Sequence, residues 1–330
     1  MTGIKRHKWF GGVDSLRFIL AFIVLLSHFD NVYSTLLINS SNKLLQAIGF
    51  FVGNVYDGTE AVIAFFIISG FVIHYPNKNG IPDLKEFWIR RILRILLPLI
   101  AISIIGIFQH PERLVWSLAC ELIYYGIYPF LLKIDISWTK KFLISYTIAI
   151  IFILVGAHND VKAFINQNNI NYHGYYWQLG IFLTWIVGLP CWLLGVLIAE
   201  NIDRLKNTSY VQVIVLRVSV VLLGFAGNVL KLFYHTSYIL SMNIIALVLY
   251  LWIRSEIIYY KTRQPNAVLE KMGKFSYSLY ICHPIIYFAL LPVLSYNAIT
   301  YPIYLLICIV LSYCFYLAVE KPTHKFARRF

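Results

Sequence analysis

The chain has 330 residues, 59% of them hydrophobic and 13% charged, with a formal charge of +13 and a mean hydropathy of +0.70. Ordinary soluble domains carry about 25% charged residues, so the composition excludes that class and points to an all-α polytopic membrane protein. The basic residues lie between apolar runs rather than on one soluble segment, which excludes a nucleic-acid partner. The five cysteines fall in apolar stretches without metal-ligand or disulfide spacing, so no metal is expected.

The start, Met1 to Gly11, carries Lys5, Arg6 and Lys8 but no small-residue cleavage site follows, so the first helix is expected to be retained. Hydropathy and Gly/Pro punctuation then predict about ten spans, at 14–36, 58–76, 92–108, 116–133, 142–157, 180–199, 209–230, 236–254, 275–292 and 301–319. With the N-terminus inside, 22 of the 28 Lys and Arg fall in cytoplasmic segments, which places both termini in the cytoplasm. The longest external segment, Ala157–Leu179, is rich in Asn and Tyr. It reads either as a sugar-stacking loop or as an interfacial aromatic belt. Only a short basic tail follows Glu320, so a single membrane domain over 1–330 is expected, with no appended soluble domain.

Chemistry-bearing residues recur along this framework. In the first span Asp14 reads as an N-cap and an i,i+3 partner for Arg17. His28 follows eleven steps after Arg17, about 16 Å and just over three turns, so the two share a face. Snorkelling of Arg17 and an interhelical hydrogen bond by His28 are the plain alternatives. Ser69-Gly70 in the second span reads as a site of close helix approach, with Glu60 near its outer end. Arg90, Arg91 and Arg94 sit at the cytoplasmic entry to the third span, where they suit either a bidentate phosphate site or lipid phosphates. Glu121 lies about 7 Å below the interfacial Trp116, with Tyr125 one turn on. That depth approaches His28, and a Glu121–His28 hydrogen bond would suit a general base. Arg217 needs a partner, and His283 before Pro284 reads as a second imidazole or as kink packing.

These pieces, in this order, resemble the acyltransferase 3 family of integral-membrane acyltransferases. The resemblance is carried by Asp14-Ser15-Leu16-Arg17 with its spacing to His28, by Phe65-Phe66-Ile67-Ile68-Ser69-Gly70-Phe71, and by Arg91-Ile92-Leu93-Arg94 with Pro98. It continues through Trp116-Ser117-Leu118 with Glu121, Tyr125 and Pro129, then Gly273 to Tyr280 with His283, and closes at Glu320-Lys321-Pro322. The family often has an acid just before the Phe-Phe pair, where Ile63 and Ala64 stand here.

The resemblance implies transfer of an acyl group, usually acetyl from acetyl-CoA, to a hydroxyl of an O-antigen, capsule, exopolysaccharide or similar acceptor, in a bacterial cytoplasmic (inner) membrane. On that reading Arg90, Arg91, Arg94 and Arg17 hold the donor, His28 is the base and Glu121 orients it. Asp14, Ser69, Ser117 and Tyr125 are supports. Direct attack and an acyl-histidine relay are equally compatible with the residues. The competing class is a transporter or flippase of a lipid-linked sugar or small anion, which buried charges would also suit.

Overall fold

The computed structural model describes residues 10–106, 112–156, 183–205, 207–234 and 238–330. The basic start Lys5–Lys8 and the segment Ala157–Leu179 lie outside the described residues. The described residues are predominantly helical, with no strand among them. In chain order the helices are α1 (Val13–His28), α2 (Val32–Ile38), α3 (Lys43–Asn54), α4 (Gly58–Asn77), α5 (Leu84–Ile105), α6 (Glu112–Lys133) and α7 (Trp138–Gly156). They continue as α8 (Thr184–Asn201), α9 (Tyr210–Phe233), α10 (Tyr238–Tyr259), α11 (Ala267–Gly273), α12 (Ser276–Leu290) and α13 (Tyr301–Phe315). A π-helical turn (Tyr316–Glu320) then leads into α14 (Lys321–Ala327).

Among the described residues, six helical segments are long and apolar enough to cross a membrane: Lys43–Asn77, Trp138–Gly156, Thr184–Asn201, Tyr210–Phe233, Ser241–Tyr259 and Tyr301–Ala327. The expected first span, 14–36, is broken. Phe29 is extended, and Asn31 starts a new helix by accepting a hydrogen bond from the Ser34 amide. α1 therefore has 16 residues, about 24 Å at 1.5 Å per residue. His28 becomes its last residue rather than a mid-span group.

The core is organised around α4, whose side chains are buried nearly all round. It packs most closely on α8, because Gly70 and Gly195 let the two backbones touch: a Cβ at Gly70 would strike the Trp192 carbonyl, and one at Gly195 the Ile67 carbonyl. This bears out the small-residue reading of Ser69-Gly70, since helix association in lipid relies on such close packing. At the end of the same interface His74 is fully buried, with Nε2 2.7 Å from Glu200 and Nδ1 3.0 Å from the Tyr128 hydroxyl. Arg217 finds its partner across α9 and α10: Nε and Nη2 donate to the two oxygens of Glu256 at 2.6 and 2.9 Å. Trp252 Nε1 donates to the same carboxylate at 2.9 Å.

Gly195→Ala should force α4 and α8 apart and cost about 1–3 kcal/mol, the usual range for overpacking. The measurement is the thermal midpoint of the purified protein in detergent. Gly126→Ala, where a Cβ meets nothing within 4 Å, should leave that midpoint unchanged.

Candidate active site

The N-terminus of α1 is fixed from a distance. The first amides of a helix lack intrahelical partners, and here the Glu270 carboxylate of α11 takes them. Its Oε1 accepts from the Gly12 and Ser15 amides at 3.0 Å each and from the Ser15 hydroxyl at 2.6 Å. Gly12, at φ +86°, supplies the left-handed turn into the helix. Asp14 is accordingly not the N-cap. It lies one residue inside the helix and pairs with Arg17 at 3.8 Å. Gly273 seals the contact, since a Cβ there would collide with the Asp14 backbone. The cap and the close approach together set the height and rotation of Arg17.

Arg17 opens onto a cavity of about 140 Å³ toward the N-terminal end of α1, the inner cavity with respect to that helix. α5 contributes Arg91 and Arg94, one turn apart, and α6 contributes Ser117, Glu121 and Tyr125 at successive i,i+4 positions. Ser69 enters from α4, and Ser276, Tyr277 and Tyr280 enter from α12. Glu320 and His324 complete the wall from the π-helical turn and α14. Glu121 is held by the Ser69 hydroxyl, which donates at 2.8 Å, and by the Tyr125 hydroxyl. Ser69 also accepts from Trp192 Nε1 at 3.3 Å, which ties the site to α8. Glu320 accepts from the Ser278 amide at 3.1 Å and hydroxyl at 2.5 Å, and lies 3.6 Å from His324. The Arg91 guanidinium sits 5.9 Å from the Phe87 ring centre, within cation–π range. Three guanidinium groups thus face two carboxylates, and the buried Ser276 hydroxyl has no hydrogen-bond partner among the described residues.

His28 faces a second cavity of about 430 Å³ at the C-terminal end of α1, the outer cavity with respect to that helix, lined also by Asp30, Tyr56, Trp116, Asn228 and Lys231. The His28 ring is exposed and its Nδ1 lies 2.8 Å from the Val24 carbonyl. A carbonyl only accepts, so Nδ1 carries a proton, which makes Nε2 the ring nitrogen that serves as a base in the neutral form. His283 is the neighbouring imidazole, fully buried, with ring centres 5.0 Å apart. Its Nδ1 donates to the Leu279 carbonyl at 3.2 Å, which leaves Nε2 buried without a partner among the described residues. Two residues, Val62 and Tyr280, line both cavities.

Of the residues singled out from sequence, Arg17, Arg91, Arg94, Glu121, Ser69, Ser117 and Tyr125 converge on the inner cavity. The expected Glu121–His28 pair is not formed. Glu121 bonds to Ser69 and Tyr125 on the inner side, whereas His28 ends α1 on the outer side. Equal depth on two helices did not bring their side chains to the same face. Arg90 is turned away from the cavity and pairs with Glu86 at 2.5 Å, because one residue of offset rotates it by about 100° from Arg91. Glu60 is buried beside α9, behind the outer cavity, with its Oε1 lacking a partner among the described residues. Sequence reading gave no role to Tyr277, Tyr280, Glu320 or His324. The i,i+3 spacing of Tyr277 and Tyr280 was the signal for a shared face. Glu320 had no signal beyond its place in a motif, because a π-helical turn alters the helical phase that spacing arguments use.

Comparison with known proteins assigns the sequence to a family. No curated protein and no solved structure matches the chain. A family model described as an acyltransferase domain matches residues 10–110 and 114–318, which takes in both cavities and every residue of the inner wall except Glu320 and His324. The chain belongs to the acyltransferase 3 family and is, in its general activity, a membrane acyltransferase.

Proposed function

We propose that the protein transfers an acetyl group from acetyl-CoA to a hydroxyl of a cell-surface carbohydrate or its lipid-linked precursor, as one membrane domain in a bacterial cytoplasmic membrane with both termini inside. The observation that carries this reading is the pairing of two unlike cavities at Val62 and Tyr280. The inner one has more guanidinium groups than carboxylates and so attracts an anion. The outer one is larger and presents the His28 imidazole to solvent, which suits a polar, bulky acceptor.

On this reading Arg91 and Arg94 grip donor phosphates at the cytoplasmic end, and Arg17 steers the arm that carries the thioester. Glu121 acts on the donor side. It holds Ser69 and Tyr125 in place and balances part of the arginine charge, rather than orienting His28. His28 Nε2 removes the proton of the acceptor hydroxyl, whose oxygen attacks the thioester carbon directly. The acceptor carbohydrate approaches through the outer cavity. The membrane acyltransferase activity of the family leaves transport without a supporting observation.

Three outcomes test this reading. His28→Ala should abolish acetyl ester on envelope glycan, measured by NMR, in cells that retain wild-type levels of the protein. Arg91→Ala and Arg94→Ala should each weaken acetyl-CoA binding by about 10- to 100-fold, the value of a charge-assisted contact of about 1.5–3 kcal/mol. Arg90→Ala should leave affinity within about twofold, because its charge is already committed to Glu86 on the surface. Equal losses in all three variants would return the arginines to a generic surface role. Without acceptor, radiolabelled acetyl-CoA should leave no stable label on the protein. A stable label that is lost in His28→Ala would replace direct attack with an acyl-histidine relay.

A further inference from the structure

Tyr280 is the one polar side chain common to the linings of the two cavities. It is 8% exposed, and its hydroxyl shares a hydrogen bond of 2.7 Å with the Ser117 hydroxyl, in which either oxygen can donate. Its ring packs edge-on against Phe65 and at a tilt against His283, at centre separations of 6.2 and 6.3 Å. Ser117 lies one helical turn before Glu121 on the same face of α6, so the phenol is braced against the donor side of the site. When Ser117 donates to the Tyr280 oxygen, the phenolic proton is available to the junction between the cavities. An acyl carbon supplied from the arginine side and attacked from the His28 side must lie at that junction.

The geometry assigns Tyr280 as a catalytic residue, the hydrogen-bond donor to the thioester carbonyl oxygen as it becomes an oxyanion, with Ser117 as its positioning residue. This assignment rests on the acyltransferase reading given above. The acceptor O–H proton moves to His28 Nε2, and the acceptor oxygen bonds to the carbonyl carbon. The carbonyl π pair moves onto oxygen, where the Tyr280 O–H stabilises it. Collapse re-forms the carbonyl and breaks the C–S bond, and the departing thiolate takes the proton from His28. A preformed donor aimed at the developing charge, rather than at the ground-state carbonyl, is the arrangement that lowers such a barrier.

The test uses membranes containing the full chain together with their endogenous glycan, and follows label from acetyl-labelled acetyl-CoA into glycan at saturating donor, alongside acetyl-CoA binding. Tyr280→Phe keeps the ring and removes the donor. Its transfer rate should fall about 100-fold, the usual effect of deleting one oxyanion donor, with acetyl-CoA affinity within about twofold of wild type. Ser117→Ala, which leaves the phenol in place, should lower the rate about tenfold, also without weakening donor binding. If Tyr280→Phe and Ser117→Ala transfer at wild-type rate while His28→Ala is inactive, the assignment fails and the acyltransferase reading stands. Parallel losses of affinity and rate would likewise overturn it, by making Tyr280 part of the donor's binding wall. If Tyr280→Phe does not accumulate, the Ser117→Ala rate and affinity decide. Absence of transfer by the wild-type chain overturns the underlying reading and this assignment together.

Discussion

Charge inside an apolar bundle is the constraint from which the rest of the structure follows. Removing an ion from water costs several kcal/mol even after relaxation, and an uncompensated one left behind by a lost partner is strongly destabilising. Arg17, Arg91 and Arg94 come from α1 and α5, Glu121 from α6, and Glu320 from the π-helical turn, and all face one cavity. None of these helices can withdraw without leaving a charge to lipid or to an empty wall. The polar contacts around the cavity reinforce this: Trp192 to Ser69, Ser69 and Tyr125 to Glu121, and Ser278 to Glu320. Charge matching therefore holds the helices at the site, while glycine contacts such as Gly70 and Gly195 hold those behind it.

The same constraint explains which parts of the site were legible in the sequence. An ionisable residue in an apolar run is conspicuous, so Arg17, Arg91, Arg94 and Glu121 stand out without structural information. Helical spacing adds the face: Arg91 with Arg94, and Ser117, Glu121 and Tyr125 along one stripe. What spacing on single helices does not contain is how neighbouring helices are rotated and which of them touch. Glu121 and His28 were matched by depth alone, yet α6 turns Glu121 inward to Ser69. The long-range cap by Glu270 was equally hidden, since the partner of the Gly12 amide lies 258 residues away. Asp14 offered a local cap in its place. Tyrosines were the other blind spot. In a chain with 24 of them, and with interfacial belts as their ordinary explanation, Tyr277 and Tyr280 carry no mark that separates a cavity wall from packing.

α1 gives the two cavities their separation. It is anchored at one end by Glu270 and Gly273 and ends at His28, where the chain turns extended at Phe29. Arg17 and His28 are thus fixed about 16 Å apart on a rigid helix. In a CoA thioester the charged phosphates and the reactive carbonyl sit at opposite ends of a long, thin arm. On the proposed reading, a helix with Arg17 beside the thioester arm and His28 on the acceptor side spans part of that separation without a moving domain. The short length of α1, which makes it a poor membrane span by length, is what brings His28 to an exposed position in the outer cavity.

On the proposed reading, two cavities that meet at Val62 and Tyr280 also solve a problem of selectivity. A thioester exposed to the aqueous outer cavity would meet water at far higher concentration than any sugar hydroxyl, and His28, being exposed, could activate either. Keeping the donor behind Val62 and Tyr280 restricts attack to an oxygen that reaches the junction from the His28 side. Val62 would exclude water there by its apolar surface, while Tyr280 would add a polar group only at the point where charge develops. The acceptor would then be chosen by what the outer cavity can hold against this opening. Asp30, Asn228 and Lys231 on its wall form a mixed-charge, hydrogen-bonding surface of the kind that hydroxyl-rich ligands require and apolar ones do not.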